Sequence, residues 1–410
     1  MHSKAEKSLV ILAGLFCLTL PCLSSCASSS RGGQEFYFPD GSLIVTKENQ
    51  FRNQSTMLLT FAGDIMAHRP NYEIKPYDAI YKDIEPLLRQ SALAFANLES
   101  PVDNSKPCST FPNFNIHSDY AEAAISAGFN VFSLVNNHTN DQGLEGILAT
   151  RDFFSSVEER TRGTDRPVYA CGLKQNESDP LTCRLIECAD SRGKPWRILF
   201  AAVTEVENRR DFRSWYDYAG TGESERAEFL GNLTELKERH SPDIFVLSIH
   251  CADKEYELSI DEGQRAYYHD ILRSGADVVW VNHPHVAKDW EVVKDTDGVP
   301  RKIIFHSMGN TISAQRWVPQ FNNPRDIQEY TGDGYLCQVR FLKDSGGIRI
   351  AQVSPVLITT YITGSWQFVI RILDDSFIQS LQKDGQKTWA GYMSERKNLM
   401  EQIKGKTSWL

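Results

Sequence analysis

Six short apolar runs, each followed by polar residues that bind metals or transfer protons, constrain the fold of this chain more than any other feature. The runs occupy residues 57–62, 93–96, 131–135, 244–249, 278–281 and 303–305. Between them lie helical signals, such as residues 119–127 and 261–274, each ended by a glycine. Strands that alternate with helices predict an α/β fold with a largely parallel sheet. Ligands gather beyond the carboxyl ends of such strands, so we expect the polar residues to meet there.

The polar residues that follow the runs form a set suited to divalent metal ions. They are Asp64, Glu99, Asn137, His138, His250, His283 and His285. Carboxylates and imidazoles favour Mn, Fe or Zn, and a pair of metals needs a shared oxygen ligand such as an Asp or Glu. A single histidine at a strand end is most often structural, so the prediction depends on the whole set. His283-Pro284-His285 predicts an extended turn that lets both imidazoles face one metal pair.

Several motifs together resemble the CapA family of bacterial capsule, or poly-γ-glutamate, synthesis proteins. They are Gly63-Asp64-Ile65-Met66, Asn97-Leu98-Glu99, Asn136-Asn137-His138 with Asp141-Gln142-Gly143, Gly275-Ala276-Asp277 with His283-Pro284-His285-Val286, and Ser307-Met308-Gly309-Asn310. The resemblance covers about residues 57–312. It implies the fold of the calcineurin-like metallophosphoesterases, a four-layer α/β/β/α sandwich.

The resemblance also implies a role for each candidate residue around two divalent metal ions. Glu99 would bridge the ions, with Asp64 and His285 on the first and Asn137, His250 and His283 on the second. His138 would bind no metal and would act as the general acid, with a metal-bound hydroxide as the nucleophile.

The chain departs from the expected pattern at two places. Met66 stands where the wider superfamily usually has the histidine of Asp-x-His, so the first metal lacks one ligand unless His68 or another residue supplies it. The family's His-Trp-Gly and following Glu-Tyr are replaced by the sequence of residues 250–256, which keeps His250 and a displaced Glu255-Tyr256 pair. Cys251 is either an extra soft ligand or, as we favour, a buried structural thiol.

The first 26 residues are typical of a targeting segment. Lys4 and Lys7 precede an apolar run at residues 9–20, which is too short to span a bilayer. The segment ends in Leu23-Ser24-Ser25-Cys26, which resembles a bacterial lipobox and predicts lipidation of Cys26. An ordinary secretory signal with a chance cysteine is the alternative.

The rest of the chain divides, by composition, into three parts. Residues 27–55 predict a flexible tether, 56–365 the CapA-like domain and 366–410 a helical C-terminal tail. Within the domain, residues 223–239 predict a solvated helix that is an insertion or a cover, and residues 335–363 predict strands of a second sheet.

Charge and motifs together point to one principal function and its alternatives. A net charge of −9 excludes nucleic acid as a partner. The principal hypothesis is an exported, membrane-anchored hydrolase of the cell envelope, on the periplasmic or outer face, that acts on a capsule-related ester or amide. Its expected partners are the membrane, an anionic polymer and other capsule-synthesis proteins. The alternatives are a non-catalytic accessory protein of polymer export and a solute-binding lipoprotein.

Overall fold

The computed structural model describes residue 51 and residues 53–410. The predicted targeting segment, Cys26 and nearly all of the predicted tether therefore lie outside the described residues. None of the helices in the described part of the chain combines the length and the apolar character that crossing a membrane requires.

The first sheet has eight strands and combines a parallel half with an antiparallel half. Its strands are β1 Ser55–Ile65, β2 Leu93–Leu98, β3 Val131–Ser133, β4 Tyr169–Cys171, β11 Asn310–Ile312, β12 Asp333–Asp344, β13 Gly347–Ile362 and β14 Phe368–Ile372. Their order is β14-β13-β12-β1-β2-β3-β4, with β11 also paired to β1. Strands β1 to β4 are parallel neighbours, whereas β12, β13 and β14 are antiparallel.

The second sheet has seven strands around a parallel centre. Its strands are β5 Arg184–Ala189, β6 Pro195–Thr204, β7 Ile244–His250, β8 Val278–Asn282, β9 Trp290–Lys294, β10 Pro300–Phe305 and β15 Gly405–Trp409. Their order is β15-β9-β10-β8-β7-β6-β5. Strands β6, β7, β8 and β10 run parallel to one another. The six apolar runs thus supply the inner strands of two sheets, not of one.

Helices cover the outer faces of the two sheets. They are α1 Arg69–Glu73, α2 Glu85–Gln90, α3 Ser118–Ala127, α4 Gly143–Thr161, α5 Glu223–His240, α6 Glu262–Arg273, α7 Asp375–Lys383 and α8 Lys387–Met400. Helices α2 and α4 contact the first sheet, and α5 and α6 bury an apolar stripe against the second. The predicted solvated helix is α5, and it acts as a cover because Phe229, Leu233 and Leu236 pack against the second sheet.

Aromatic side chains from both sheets fill the space between them. The Phe61 ring on β1 stacks on Phe95 of β2, with a centroid distance of 4.7 Å, and lies 5.3 Å from Phe305 of β10. Phe95 also contacts Trp280 of β8 at 6.0 Å, and the Trp280 indole donates a hydrogen bond of 2.8 Å to the Ala62 carbonyl. Helices outside and two facing sheets inside confirm the predicted four-layer α/β/β/α sandwich.

Two expectations about the later part of the chain differ from the structure. Residues 335–363 do form strands, but these strands extend the first sheet because β12 pairs with β1 along seven residue pairs. The segment 366–410 contains α7 and α8, as expected, and also adds one edge strand to each sheet, β14 to the first and β15 to the second. Edge pairing depends on distant partner strands, which the local pattern does not reveal.

A buried ion cluster holds the loop after β11 against the first sheet. Asp333 accepts hydrogen bonds from Arg316 Nη1 at 2.8 Å, Arg396 Nε at 2.6 Å and Thr359 Oγ1 at 2.6 Å. Burial alone would raise the pKa of Asp333, but Arg316 and Arg396 outweigh it and hold the pKa below its usual value. The ionised carboxylate therefore pairs with two buried guanidinium groups at once.

Replacing Asp333 by Asn should destabilise the fold strongly. The change keeps the side-chain shape but leaves Arg316 and Arg396 buried without their carboxylate, which costs about 3–5 kcal/mol. Urea unfolding followed by tryptophan fluorescence measures the loss. The partly exposed Asp344 is the matched control, and Asp344→Asn should stay within about 0.5 kcal/mol of wild type. Equal stability of the two variants would contradict the role given to Asp333.

Candidate metal centre

The seven predicted site residues meet where the carboxyl ends of the parallel strands of both sheets come together. The first sheet delivers four of them and the second sheet three. They are Asp64 at the end of β1, Glu99 after β2, Asn137 and His138 after β3, His250 at the end of β7, and His283 and His285 after β8. All seven side chains are buried.

Glu99 belongs to two groups of candidate ligands at once. With Asp64 and His285 it forms the first group, and with His250 and His283 it forms the second; ligand atoms within each group lie within 4.8 Å of one another. Glu99 Oε1 lies 3.6 Å from His250 Nε2 and 3.6 Å from His285 Nε2. One carboxylate oxygen is thus placed between imidazoles that belong to different groups.

The amide of Asn137 adds a fourth donor to the second group. Its Oδ1 lies 2.9 Å from His250 Nε2, and the same nitrogen lies 3.1 Å from His283 Nδ1. In the first group, Asp64 Oδ2 lies 3.2 Å from His285 Nδ1. Four donors converge in the second group and three in the first.

The charges and the hydrogen bonds of this cluster fit a bound cation. Among the described residues, the buried Glu99 Oε1 has no hydrogen-bond donor. Burial, followed by the charge of Asp64, raises the pKa of Glu99 well above its usual value. Burial lowers the pKa of His283 to about 3 and that of His250 well below its usual value, and a neutral imidazole is the form that binds metals. Carboxylate, imidazole and amide oxygen together suit a divalent first-row metal.

The first group is more negative than the second, and the pKa of His285 reflects it. Burial alone would lower that pKa, but Glu99 and Asp64 outweigh burial and raise it to about 9. A proton on His285 and a divalent cation in the same place would relieve the same repulsion between the two carboxylates.

Asn97 orients both carboxylates, a role that the sequence did not assign. Its Nδ2 donates to Asp64 Oδ1 at 2.7 Å and to Glu99 Oε2 at 3.2 Å. Asn136, in the loop after β3, supports it by donating to Asn97 Oδ1 at 3.4 Å and to the Leu98 carbonyl at 2.9 Å. Both asparagines belong to the motifs that carry the family resemblance, which is the signal that pointed to them.

His138 lies beside the ligand groups and is held by its own carboxylate. Its Nδ1 lies 2.7 Å from Asp141 Oδ2, which also accepts from the Phe114 backbone N–H at 2.7 Å. The Phe114 ring packs against the imidazole with its edge, at a centroid distance of 4.7 Å. Asn208, which contacts Asn137 and lies 3.3 Å from His138 Nδ1, comes from a loop without any sequence signal for the site. Because Asp141 accepts from Nδ1, the Nε2 atom of His138 is left for exchange with a ligand.

The His283-Pro284-His285 turn brings one imidazole to each group, but its backbone is not extended. His283 has φ 105° and His285 has φ 56°, both in a region that residues other than glycine rarely occupy. The extended turn predicted from the proline is therefore wrong. Each such residue costs on the order of 1–3 kcal/mol, so the surrounding contacts must stabilise the turn. One of them is the hydrogen bond of 3.0 Å from the Tyr256 N–H to the Pro284 carbonyl.

The sequence left open whether three residues, Met66, His68 and Cys251, take part in metal binding. Met66 is buried, and His68 belongs to none of the candidate ligand groups in the described part of the chain. The Nδ1 atom of His68 accepts instead from the Ala314 N–H at 3.3 Å, and its ring lies 5.1 Å from that of Phe114. Cys251 is fully buried, and burial raises the pKa of its thiol to about 12, as for a structural cysteine.

Comparisons with known proteins agree with the motifs. The PGA biosynthesis protein CapA of Bacillus subtilis (strain 168) is 26% identical over 267 residues, which are 63% of this chain and 64% of that protein. The match thus spans slightly less than two thirds of the relative. The capsule biosynthesis protein CapA of Bacillus anthracis is 24% identical over 347 residues, 82% of this chain and 75% of the relative.

Among solved structures, the calcineurin-like phosphoesterase YfkN from Bacillus subtilis aligns with a TM-score of 0.40 and 9% identity. The alignment covers 83% of this chain and 99% of that one.

A family model matches the central part of the chain. The model of the bacterial capsule synthesis protein PGA_cap matches residues 58–315, a stretch that contains all seven site residues and more than half of the chain. The chain therefore belongs to the PGA_cap family of bacterial capsule synthesis proteins.

Proposed function

We propose that this protein is an exported, membrane-anchored, metal-dependent hydrolase that serves the synthesis or export of a capsule polymer. The observation that carries the hydrolase is the buried Glu99 oxygen, which is shared by two ligand groups and has no hydrogen-bond donor in the described part of the chain. Such an oxygen suits a bridge between two cations. His138, the residue after the candidate ligand Asn137, is paired with Asp141.

Six residues hold the ions in this proposal, which takes Mn, Fe or Zn as the metal. Asp64 and His285 would hold the first ion, Asn137, His250 and His283 would hold the second, and Glu99 would be shared by both. When present, the ions supply positive charge and make a water molecule acidic enough to act as a nucleophile near neutral pH. The ions also offset the repulsion between an anionic substrate and a chain of net charge −9.

The protein's own groups position the reacting parts. Asn97 holds Asp64 and Glu99 in one orientation through its two hydrogen bonds. Asp141 accepts from His138 Nδ1 and leaves Nε2 of His138 as the atom that donates the proton. From Nε2 the proton passes to the oxygen or nitrogen of the leaving group, which departs as the neutral alcohol or amine.

The substrate class follows from the relatives and the charge of the site. The two CapA proteins are named for capsule and PGA biosynthesis. An ester or amide in an anionic envelope polymer, or in one of its precursors, fits this association. Poly-γ-glutamate and a generic aryl phosphoester are the two substrates with which we would begin.

Mn²⁺ should raise the thermal stability of the metal-free protein, and Glu99→Gln should abolish most of that gain. Saturation at 100 times the dissociation constant stabilises a protein by about 2.7 kcal/mol for each site. Differential scanning fluorimetry after EDTA treatment and desalting measures the shift, and elemental analysis counts the ions. Glu145→Gln on the exposed surface of α4 is the control. A wild-type protein that binds less than one ion would rule out the metal centre.

His138→Gln should reduce kcat by about 10²–10⁴-fold without loss of bound metal, because it removes a proton donor but no ligand. Steady-state assays with Mn²⁺ on both substrates measure the rate, and elemental analysis measures the metal content. His240→Gln at the end of α5 is the control. Full metal content in wild type, with no turnover that depends on His138 or Asp64, would favour the accessory role.

The membrane anchor is a separate part of the proposal and has its own test. Cys26→Ala should move the protein from the membrane fraction to the soluble fraction, because a lipid chain contributes about 0.8 kcal/mol per buried CH₂ group. Immunoblots of fractionated cells measure the distribution. Cys22→Ala, four residues earlier, should remain with the membrane. If the Cys26 variant stays in the membrane fraction, lipidation of Cys26 is not what anchors the protein.

A further inference from the structure

The two ligand groups are unequal, and the first is the poorer in donors. Asp64, Glu99 and His285 make three donors, whereas Asn137 adds a fourth to Glu99, His250 and His283. Met66 lies two residues after Asp64 and offers only a thioether, which is a poor ligand for a hard divalent cation. A further oxygen donor near His285 would make the two groups equal.

Glu255 is a carboxylate outside the two inner groups that lies within ligand reach of His285. Its ligand atom forms a third group with His283 and His285, one histidine from each of the inner groups. Glu255 Oε1 lies 3.9 Å from His283 Nε2, and its side chain is 37% exposed. Its neighbours Lys254 and Glu257 pair with each other at 3.8 Å, whereas Glu255 faces the histidines. The carboxylate thus lies on the solvent side of the site, above both inner groups.

The loop that carries Glu255 is fastened to the residues that hold His285. Tyr256 has φ 60°, and its N–H donates to the Pro284 carbonyl at 3.0 Å. The Tyr256 hydroxyl accepts from Gln315 Nε2 at 3.1 Å. Gln315 Oε1 in turn accepts from Asn310 Nδ2 at 2.8 Å, and Asn310 Oδ1 lies 3.1 Å from His285 Nδ1. The strained backbone and this chain of hydrogen bonds fix Tyr256, and they thereby position Glu255, the residue before it.

We infer that Glu255 is the fourth protein ligand of the cation bound by Asp64, Glu99 and His285, an assignment that rests on the metal centre proposed above. It takes the role that a histidine at position 66 would otherwise have. The loss of this one carboxylate therefore weakens the binding of one ion and leaves the binding of the other unchanged.

The test compares Glu255→Gln with Glu257→Gln, two residues further along the same loop. The variants lose the same charge, but Glu257 pairs with Lys254 instead of facing the site. Titration calorimetry with Mn²⁺ measures two dissociation constants, and electron paramagnetic resonance reports the exchange coupling of a Mn²⁺ pair. We expect Glu255→Gln to weaken one of the two sites by at least about tenfold, the lower end of the effect of losing a supporting group. In Glu255→Gln, the resonance signal of the exchange-coupled Mn²⁺ pair should be smaller than in wild type when two equivalents of Mn²⁺ are added.

The outcomes separate this assignment from the metal centre itself. Tight binding of two Mn²⁺ ions to wild type and to Glu257→Gln, with weaker binding of one ion to Glu255→Gln, would support the assignment. Two equally tight ions in all three proteins would overturn the role of Glu255 and leave the metal centre intact. No Mn²⁺ bound to wild type would overturn both. Circular dichroism of the metal-free variants verifies folding, and Glu255→Ala, which should show the same single weakened site, replaces Glu255→Gln if that variant is unfolded.

Discussion

The buried carboxylate of Glu99 is the interaction on which the arrangement of this protein depends. One of its oxygens accepts from Asn97, and the other lies between His250 and His285 without a donor in the described residues. Burying a charge without a partner is costly, so either a proton or a cation must compensate it. The residues that would share the cation come from opposite sheets, and metal binding therefore couples the two halves of the sandwich. The shared oxygen of Glu99 suits two ions, but without metal its buried charge lies close to Asp64 and has no hydrogen-bond donor in the described residues.

The surrounding structure keeps these donors in place against their own conformational preferences. Two histidines with positive φ flank Pro284, and the loop of Tyr256 and the Asp64 carboxylate both contact that turn. At the end of β1, Gly63 passes so close to the Gly309 carbonyl that an added Cβ would lie 1.7 Å from that oxygen. The buried cluster of Arg316 and Asp333 then fixes the loop that delivers Gln315 to Tyr256. Stability is thus concentrated around the site, where strain has to be offset.

Some parts of the site could be predicted because their information is local. An apolar run followed by Asp, Asn or His indicates a strand that ends in a possible ligand, and this pattern located all seven residues that the structure brings together. Asn97 and Asp141 lie inside the quoted motifs, but their roles needed the positions of their partners. Asn208 could not be found, since it reaches His138 from a loop about 70 residues further along the chain with no pattern of its own. The backbone of the His-Pro-His turn was mispredicted because the residue before a proline favours extended backbone, and contacts around the site override that preference at His283.

The sequence by itself determined the positions of six inner strands, the ends of α3, α5 and α6 and the identity of the candidate ligands, all of which depend on neighbouring residues. The family resemblance implied two facing sheets, but only the tertiary structure decided which strand belongs to which sheet, that β12 and β13 extend the first sheet, and that the C-terminal segment adds an edge strand to each. It also decided that Glu99 belongs to two groups while Glu255 faces His283 from the solvent side. These features depend on pairings between residues far apart in sequence, and sheet pairing is set by packing and register, which no local periodicity encodes.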